Sequence, residues 1–147
     1  MPAVLQSGQL EIKDIDKALF HLGNVYEDPR DALAEFVTNG IDAGARHILM
    51  RLHRRSASAS IEVEDDGSGM SSSDLGRVAR SICDSVKAYD EQSVGEKGIG
   101  ILGYQEIADE CEIASRTDVS PQTAALCLHK GSRRFEIVRA EGPHVVK

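Results

Sequence analysis

Tryptophan is absent from this 147-residue chain, and aromatic rings are limited to three Phe and three Tyr. So few rings disfavour a platform on which unpaired bases stack. Cysteine is also scarce. Cys83, Cys111 and Cys127 are odd in number, widely spaced and without a CxxC, so neither a disulfide scaffold nor a zinc module is expected. This usage fits a reducing cytosol, and a cytoplasmic location is the expectation. No apolar run approaches the ~18 residues of a membrane span. The N-terminus lacks a basic stretch followed by an apolar one. Basic charge is in deficit, 17 Lys plus Arg against 24 Asp plus Glu, for a formal charge of −7. That balance argues against a general binder of nucleic acid or anionic membrane. What remains is 41% hydrophobic and 28% charged, the composition of an ordinary globular domain. A chain of this length buries about 68–70% of its unfolded surface in a single core. One domain over residues 1–147 is the expectation.

Helix and strand signals alternate along the chain. Asp28 is a good N-cap, Pro29 suits the first helical position and Asp31 favours the positive end of the dipole. They predict a helix from about Pro29 to Ala43, closed by Gly44 as a C′ residue. Ala32, Leu33, Phe36, Val37 and Ile41 supply its packed faces. Ile48, Met50 and Leu52 alternate with polar residues, as do Ile61 and Val63. Ser56 to Ser60 separates the two runs as a turn, which predicts an antiparallel hairpin. Ser71 to Ser73 predicts the start of a second helix through about Cys83. The polar, aperiodic stretch Asp84–Val94 reads as a loop of lid length, with a short helix after the glycines at 95, 98 and 100. Glu112–Arg116, Ala124–His129 and Phe135–Arg139 read as strands, and the amphipathic Leu10–Leu22 as a helix. The sum is an α+β domain, a two-layer sandwich with helices on one face of a mixed, mainly antiparallel sheet.

Three clusters carry chemistry. On the first helix Glu35, Asn39 and Asp42 stand at i, i+4 and i+7 and project from one side. Alone, such a triplet is a solvated polar face. On a helix otherwise packed, its hard oxygens suit Mg²⁺ and an activated water, because Mg²⁺ takes few protein ligands beside phosphates. At the end of the second hairpin strand stands Asp65-Asp66-Gly67-Ser68-Gly69-Met70. Asp65 is in phase with Ile61 and Val63, so alternation places its carboxylate on the buried face. There it needs a donor; an adenine amino group is one, and the glycines leave room for a flat ring. The third cluster is Gly95-Glu96-Lys97-Gly98-Ile99-Gly100-Ile101-Leu102-Gly103. No strand precedes it, which excludes a dinucleotide fingerprint. Its backbone N–H groups at a helix start, with Lys97 beside them, still suit phosphates. The five histidines show no pair at metal-ligand spacing.

Taken together, Glu-x₃-Asn-x₂-Asp-Ala, Asp-x-Gly-x-Gly and Gly-x₂-Gly-x-Gly, in this order, resemble the GHKL superfamily of ATP-binding domains. The segment Ala34 to Ala45 looks most like the MutL and MORC branches. The resemblance covers roughly residues 28 to 116 and implies a Bergerat fold with ATP between helices and sheet. It implies that Glu35 is the general base and Asn39 the Mg²⁺ ligand, with Asp42 supporting the site through water. Asp65 would accept from the adenine amino group, and Gly67, Gly69 and Met70 would complete that turn. Gly95, Lys97, Gly98, Ile99 and Gly100 would lie along the phosphates. Ser85 and Lys87 stand near a Ser/Lys pair common in the MutL and MORC branches.

The implied function is slow, Mg²⁺-dependent ATP hydrolysis driving a conformational and dimerisation switch. No Gly-Thr pair of the family's adenine site occurs before Lys147. In the MutL-like branch a following transducer domain supplies a lysine to the γ-phosphate. The chain is therefore expected to be the N-terminal part of a longer protein, with no direct nucleic-acid or membrane contact of its own. A histidine-kinase-type phosphotransferase is one rival, against which Asn39-Gly40-Ile41-Asp42 is a poor match to that branch. A nucleotide-binding module without turnover is the other.

Overall fold

A computed structural model describes residues 2–9, 28–89, 99–132 and 134–140. Strand β1 (Val4–Gln9) precedes helix α1 (Pro29–Asp42), the hairpin β2 (Ile48–Arg55) and β3 (Ser58–Asp65), and helix α2 (Ser72–Tyr89). A short helix α3 (Ile99–Leu102) runs into a 3₁₀ turn at Gly103–Glu106. Strands β4 (Glu110–Thr117), β5 (Ser120–His129) and β6 (Arg134–Arg139) follow. The class is α+β.

The strands form two sheets, a four-stranded one in the order β1-β6-β5-β4 and the β2-β3 ribbon. Every pairing among the described strands is antiparallel, so the expected single mixed sheet is not what these residues form. Cross-strand partners on the core side are Leu126 with Ile137, Leu128 with Phe135 and Leu126 with Ile113. Leu75 and Ala79, one turn apart on α2, close over Leu126, Leu128, Phe135 and Ile137, while Leu102 and Tyr104 complete the core.

Helix α1 begins and ends as its caps dictate. The Asp28 carboxylate accepts from the Arg30 N–H at 2.8 Å. At the other end Ala45 N–H donates to Gly40 and Gly44 N–H to Ile41, the paired bonds of a Schellman ending, with Gly44 at φ 75°. Its inner stripe is Ala32, Phe36 and Gly40, spaced by four; Ile41 points out and is 62% exposed. Helix α2 starts with a reciprocal cap: Asp74 N–H donates to the Ser71 hydroxyl at 3.2 Å and Ser71 N–H to the Asp74 carboxylate at 2.9 Å.

Strand β1 was not expected, and two element boundaries need correction. Strand β1 was not signalled by any clear alternation in its own residues; it is specified by pairing with β6. Helix α2 runs six residues beyond Cys83 to Tyr89, taking the start of the expected loop. Residues 84–89 contain no Gly or Pro, so extending the helix adds a hydrogen bond per residue without a new nucleus. The hairpin turn is Ser56-Ala57 alone, since Ser58 to Ser60 pair within β3. The expected helix at Leu10–Leu22 lies outside the described residues, as do 90–94 of the expected lid.

Candidate functional site

Helix α1 and the end of β3 meet at a glycine. A Cβ at Gly40 would stand 3.2 Å from Asp65 Cβ and 3.0 Å from Ile48 Cδ1. The bare backbone of Gly40 lets α1 approach the last residue of the ribbon this closely without displacing it. The turn after β3 then folds back onto the end of the helix, where Ser68 N–H donates to the Ala43 carbonyl at 3.0 Å.

Glu35, Asn39, Asp42, Asp65, Gly67, Gly69 and Met70 line one open cleft. Glu35 is half-buried, whereas Asn39, Asp42 and Asp65 are exposed. The exposure of Asp65 corrects its expected burial. Alternation does put it on the face of Ile61 and Val63, but that face borders the cleft and Ile61 itself keeps 38% exposure. The buried residue of β3 is Glu62, on the opposite face, held by His53 at 2.9 Å and Arg51 at 3.4 Å. Asp65 Oδ1 accepts from Gly67 N–H at 2.9 Å, leaving Oδ2 for a donor from the cleft.

The rest of the turn is held from two sides. On one, Met70 N–H donates to Ser115 Oγ of β4 at 2.7 Å. Beside it Gly69, at φ 68°, lies so close to β4 that an added Cβ would sit 1.7 Å from the Arg116 carbonyl oxygen. On the other, Asp66 Oδ1 accepts from the backbone N–H groups of Arg46 and His47 at 2.7 and 2.8 Å. Asp66 Oδ2 meets His47 Nδ1 at 2.7 Å. The His47 backbone bond, with its ring and the Arg46 N–H, holds the Asp66 carboxyl down at about 2. Asp66 and Ser115 were not singled out from sequence. An Asp before Gly favours bonds to backbone N–H groups, a signal that could have found Asp66. Ser115 is 45 residues from Met70 in the chain and carries no local signal.

The α1 stripe offers carboxylate and amide oxygens to the cleft, ligands that suit a hard cation such as Mg²⁺. No group of three His, Cys, Asp or Glu side chains gathers as a metal cage among the described residues. One or two protein oxygens are what Mg²⁺ takes when phosphates complete its shell, so the donors present fit it. Of the phosphate segment, Ile99 and Gly100 open α3, whereas Gly95, Lys97 and Gly98 lie outside the described residues. Burial pushes the Cys111 thiol up to about 12 and raises that of Cys127, so neither offers a thiolate near neutral pH. Among the described residues no helix is long and apolar enough to cross a membrane.

The profile of the family described as "Histidine kinase-, DNA gyrase B-, and HSP90-like ATPase" matches residues 26–143. The DNA mismatch repair protein MutL of Staphylococcus aureus (strain Newman) is 33% identical over 120 residues, 80% of this chain and 17% of that protein. MutL of Methanothrix thermoacetophila is 28% identical over 114 residues, 74% of this chain and 20% of its own length. MutL of Sphingopyxis alaskensis is 49% identical over a shorter 53 residues, 36% of this chain and 9% of its own. The chain thus spans a fifth or less of these relatives. With the match running from before α1 to beyond β6, this chain belongs to the histidine kinase-, DNA gyrase B- and HSP90-like ATPase family.

Proposed function

We propose that the cleft binds Mg·ATP and that the chain hydrolyses it slowly, as the nucleotide-driven part of a conformational and dimerisation switch. The observation that carries this reading is the convergence of two distant clusters. Glu35, Asn39 and Asp42 of α1 border the same cleft as Asp65, Gly67, Gly69 and Met70.

In this reading Asp65 Oδ2 accepts from the adenine amino group, while Gly67 keeps Oδ1 fixed. Gly69 and Met70, clamped to β4, border the base. Asn39 holds Mg²⁺, which when bound neutralises phosphate charge, and Asp42 supports it through water. Glu35 lies one turn before Asn39 on the same stripe and takes a proton from the attacking water as general base. Gly95, Lys97, Gly98, Ile99 and Gly100 supply N–H groups and a positive charge to the phosphates. The domain extends over residues 1–147, works in the cytoplasm, and pairs with a second copy when ATP binds. A transducer-like domain adds a lysine in the longer protein. This segment makes no direct contact with nucleic acid or membrane.

Single-turnover assays with γ-labelled ATP, protein and Mg²⁺ in excess, test the reading. Free phosphate is the expected product. Label retained on protein would favour phosphotransfer, and unreacted ATP a module without turnover. Glu35→Ala should bind ATP within about twofold of wild type yet lose about 10²–10⁴-fold in rate, since a base acts chiefly in the transition state. Hydrolysis by that variant within about twofold of wild type would remove Glu35 from the mechanism. Asp65→Asn should weaken ATP binding about ten- to a hundredfold by calorimetry, the loss of one directed acceptor.

A further inference from the structure

Asp65 is the final residue of β3, and past it the chain leaves the strand ladder. Its side chain alone does not fix where its free oxygen points. The next residue does. Asp66 makes four hydrogen bonds to Arg46-His47, the two residues that lead into β2. Three enter its carboxylate, from Arg46 N–H, His47 N–H and His47 Nδ1; the fourth is its own N–H to the His47 carbonyl at 3.3 Å. A carboxylate that accepts from three donors of one short segment behaves as a rivet. It ties the backbone immediately beyond Asp65 to the backbone immediately before β2.

Another flank of Asp65 is closed by Gly40, where an added Cβ would stand 3.2 Å from Asp65 Cβ. Asp65 is therefore confined between α1 and the riveted segment, with Oδ1 committed to Gly67. An error of about 1 Å in the carboxylate position removes a directed hydrogen bond, because strength falls steeply with distance and angle.

We propose that Asp66 is a positioning residue for purine recognition, which through Arg46 and His47 aims Asp65 at an exocyclic 6-amino group and so makes the cleft discriminate 6-amino from 6-oxo purines. The inference rests on the adenine reading of Asp65. In a 6-oxo purine the amino donor is replaced by a carbonyl oxygen, which faces the carboxylate as a second acceptor. Recognition then depends on alignment more than on affinity for phosphate or ribose.

Calorimetric titration of the 147-residue chain with ADP and with inosine diphosphate reads this as a ratio. Wild type is expected to favour ADP by about tenfold or more, the value of one directed hydrogen bond to a charged acceptor. Asp66→Ala should bring the ratio to within about twofold by weakening ADP alone. Asp66→Asn keeps an amide oxygen for the two backbone donors and should restore most of the preference. If Asp66→Ala does not fold, Asp66→Ser, whose hydroxyl reaches fewer of the donors, reads the same ratio. A folded Asp66→Ala that keeps the wild-type ratio, or loses both nucleotides equally, overturns the positioning role and leaves the Asp65 reading standing. A wild type without preference overturns the Asp65 reading and this inference with it.

Discussion

Leu126, Leu128 and Ile137 of the four-stranded sheet keep no more than 2% exposure, whereas Leu52 and Ile61 of the β2-β3 ribbon keep 65% and 38%. Both regions are antiparallel, but β5 carries the unbroken apolar run Ala124 to Leu128 where β2 and β3 alternate apolar with polar residues. They also differ in neighbours. Strand β5 is flanked by β4 and β6 and covered by α2, while β2 and β3 have each other. A two-stranded hairpin alone is marginal in water. The ribbon adds a cross-strand ion pair, Arg51 with Glu64 at 2.6 Å, and a cross-strand hydrogen bond between His53 and Glu62 at 2.9 Å. Its anchorage lies at the end that bears Asp65. The lesson is a division of labour: stability resides in the four-stranded sheet, and recognition is placed on a less buried element fixed by a few short polar contacts.

The junction between the two regions is where the division can be broken most severely. Gly69→Ala would drive a Cβ to 1.7 Å from the Arg116 carbonyl oxygen at a φ of 68°. Backbone strain of about 1–3 kcal/mol adds to an overpacking cost of about 1–3 kcal/mol. Denaturant unfolding should report the combined loss, and a variant as stable as wild type would mean the turn is not clamped to β4.

Next in size is a contrast between the two regions. Leu126→Ala removes a fully buried side chain and should cost about 2–5 kcal/mol. Leu52→Ala, at 65% exposure, should stay within about 0.5 kcal/mol. Equal losses in parallel urea melts would erase the distinction between core and ribbon.

The same distinction explains what could be read from sequence. Helix α1 was legible end to end because its caps are local: Asp28, Pro29 and Gly44 act within a turn of themselves. The hairpin was legible from alternation, and so was the phase of Asp65. The environment facing that phase was not, because alternation states which side chains share a face and is silent on whether a core or a cleft lies opposite. Strand β1 and the Ser115 contact depend on partners far along the chain. The partition into two sheets is likewise a matter of edges that no local pattern encodes. Glu35, Asn39 and Asp42 were found by helical spacing, and the resemblance supplied the roles that spacing alone leaves open.

A smaller effect sharpens the comparison at Gly40. Alanine there gains about 0.8–1 kcal/mol of helix propensity, but its Cβ would meet Ile48 Cδ1 at 3.0 Å and Asp65 Cβ at 3.2 Å. The end of Ile48 can swing aside. Asp65 Cβ is bonded to the backbone and moves only with it. Stability should change by less than about 1 kcal/mol, the two terms offsetting, while ADP affinity falls several-fold. Unchanged ADP affinity in calorimetry would show that the approach of α1 does not set Asp65.

The mildest test is acid, applied to the polar anchorage alone. The Asp66 carboxyl lies at about 2 in the folded protein against an ordinary 3.8, chiefly through the His47 backbone N–H, then its ring. A folded-state value below the unfolded one means that the unfolded chain takes up the proton first, so stability rises with pH across that interval. The contribution is fully present above about pH 4–5. It is lost as the pH falls toward about 2. Asp28 and Asp74 are lowered too and add the same sign, through Arg30 and through Ser71. Asp66→Asn separates the anchorage from them. Its urea midpoint should lie below that of wild type at pH 7, and the gap should close as both are taken to pH 2. Because Asp66 keeps 47% side-chain exposure, solvent screens part of this interaction and the gap should be small beside that of Leu126→Ala. A gap that stays constant from pH 7 to pH 2 would mean that the carboxylate charge contributes nothing and that the anchorage rests on the shape of the turn.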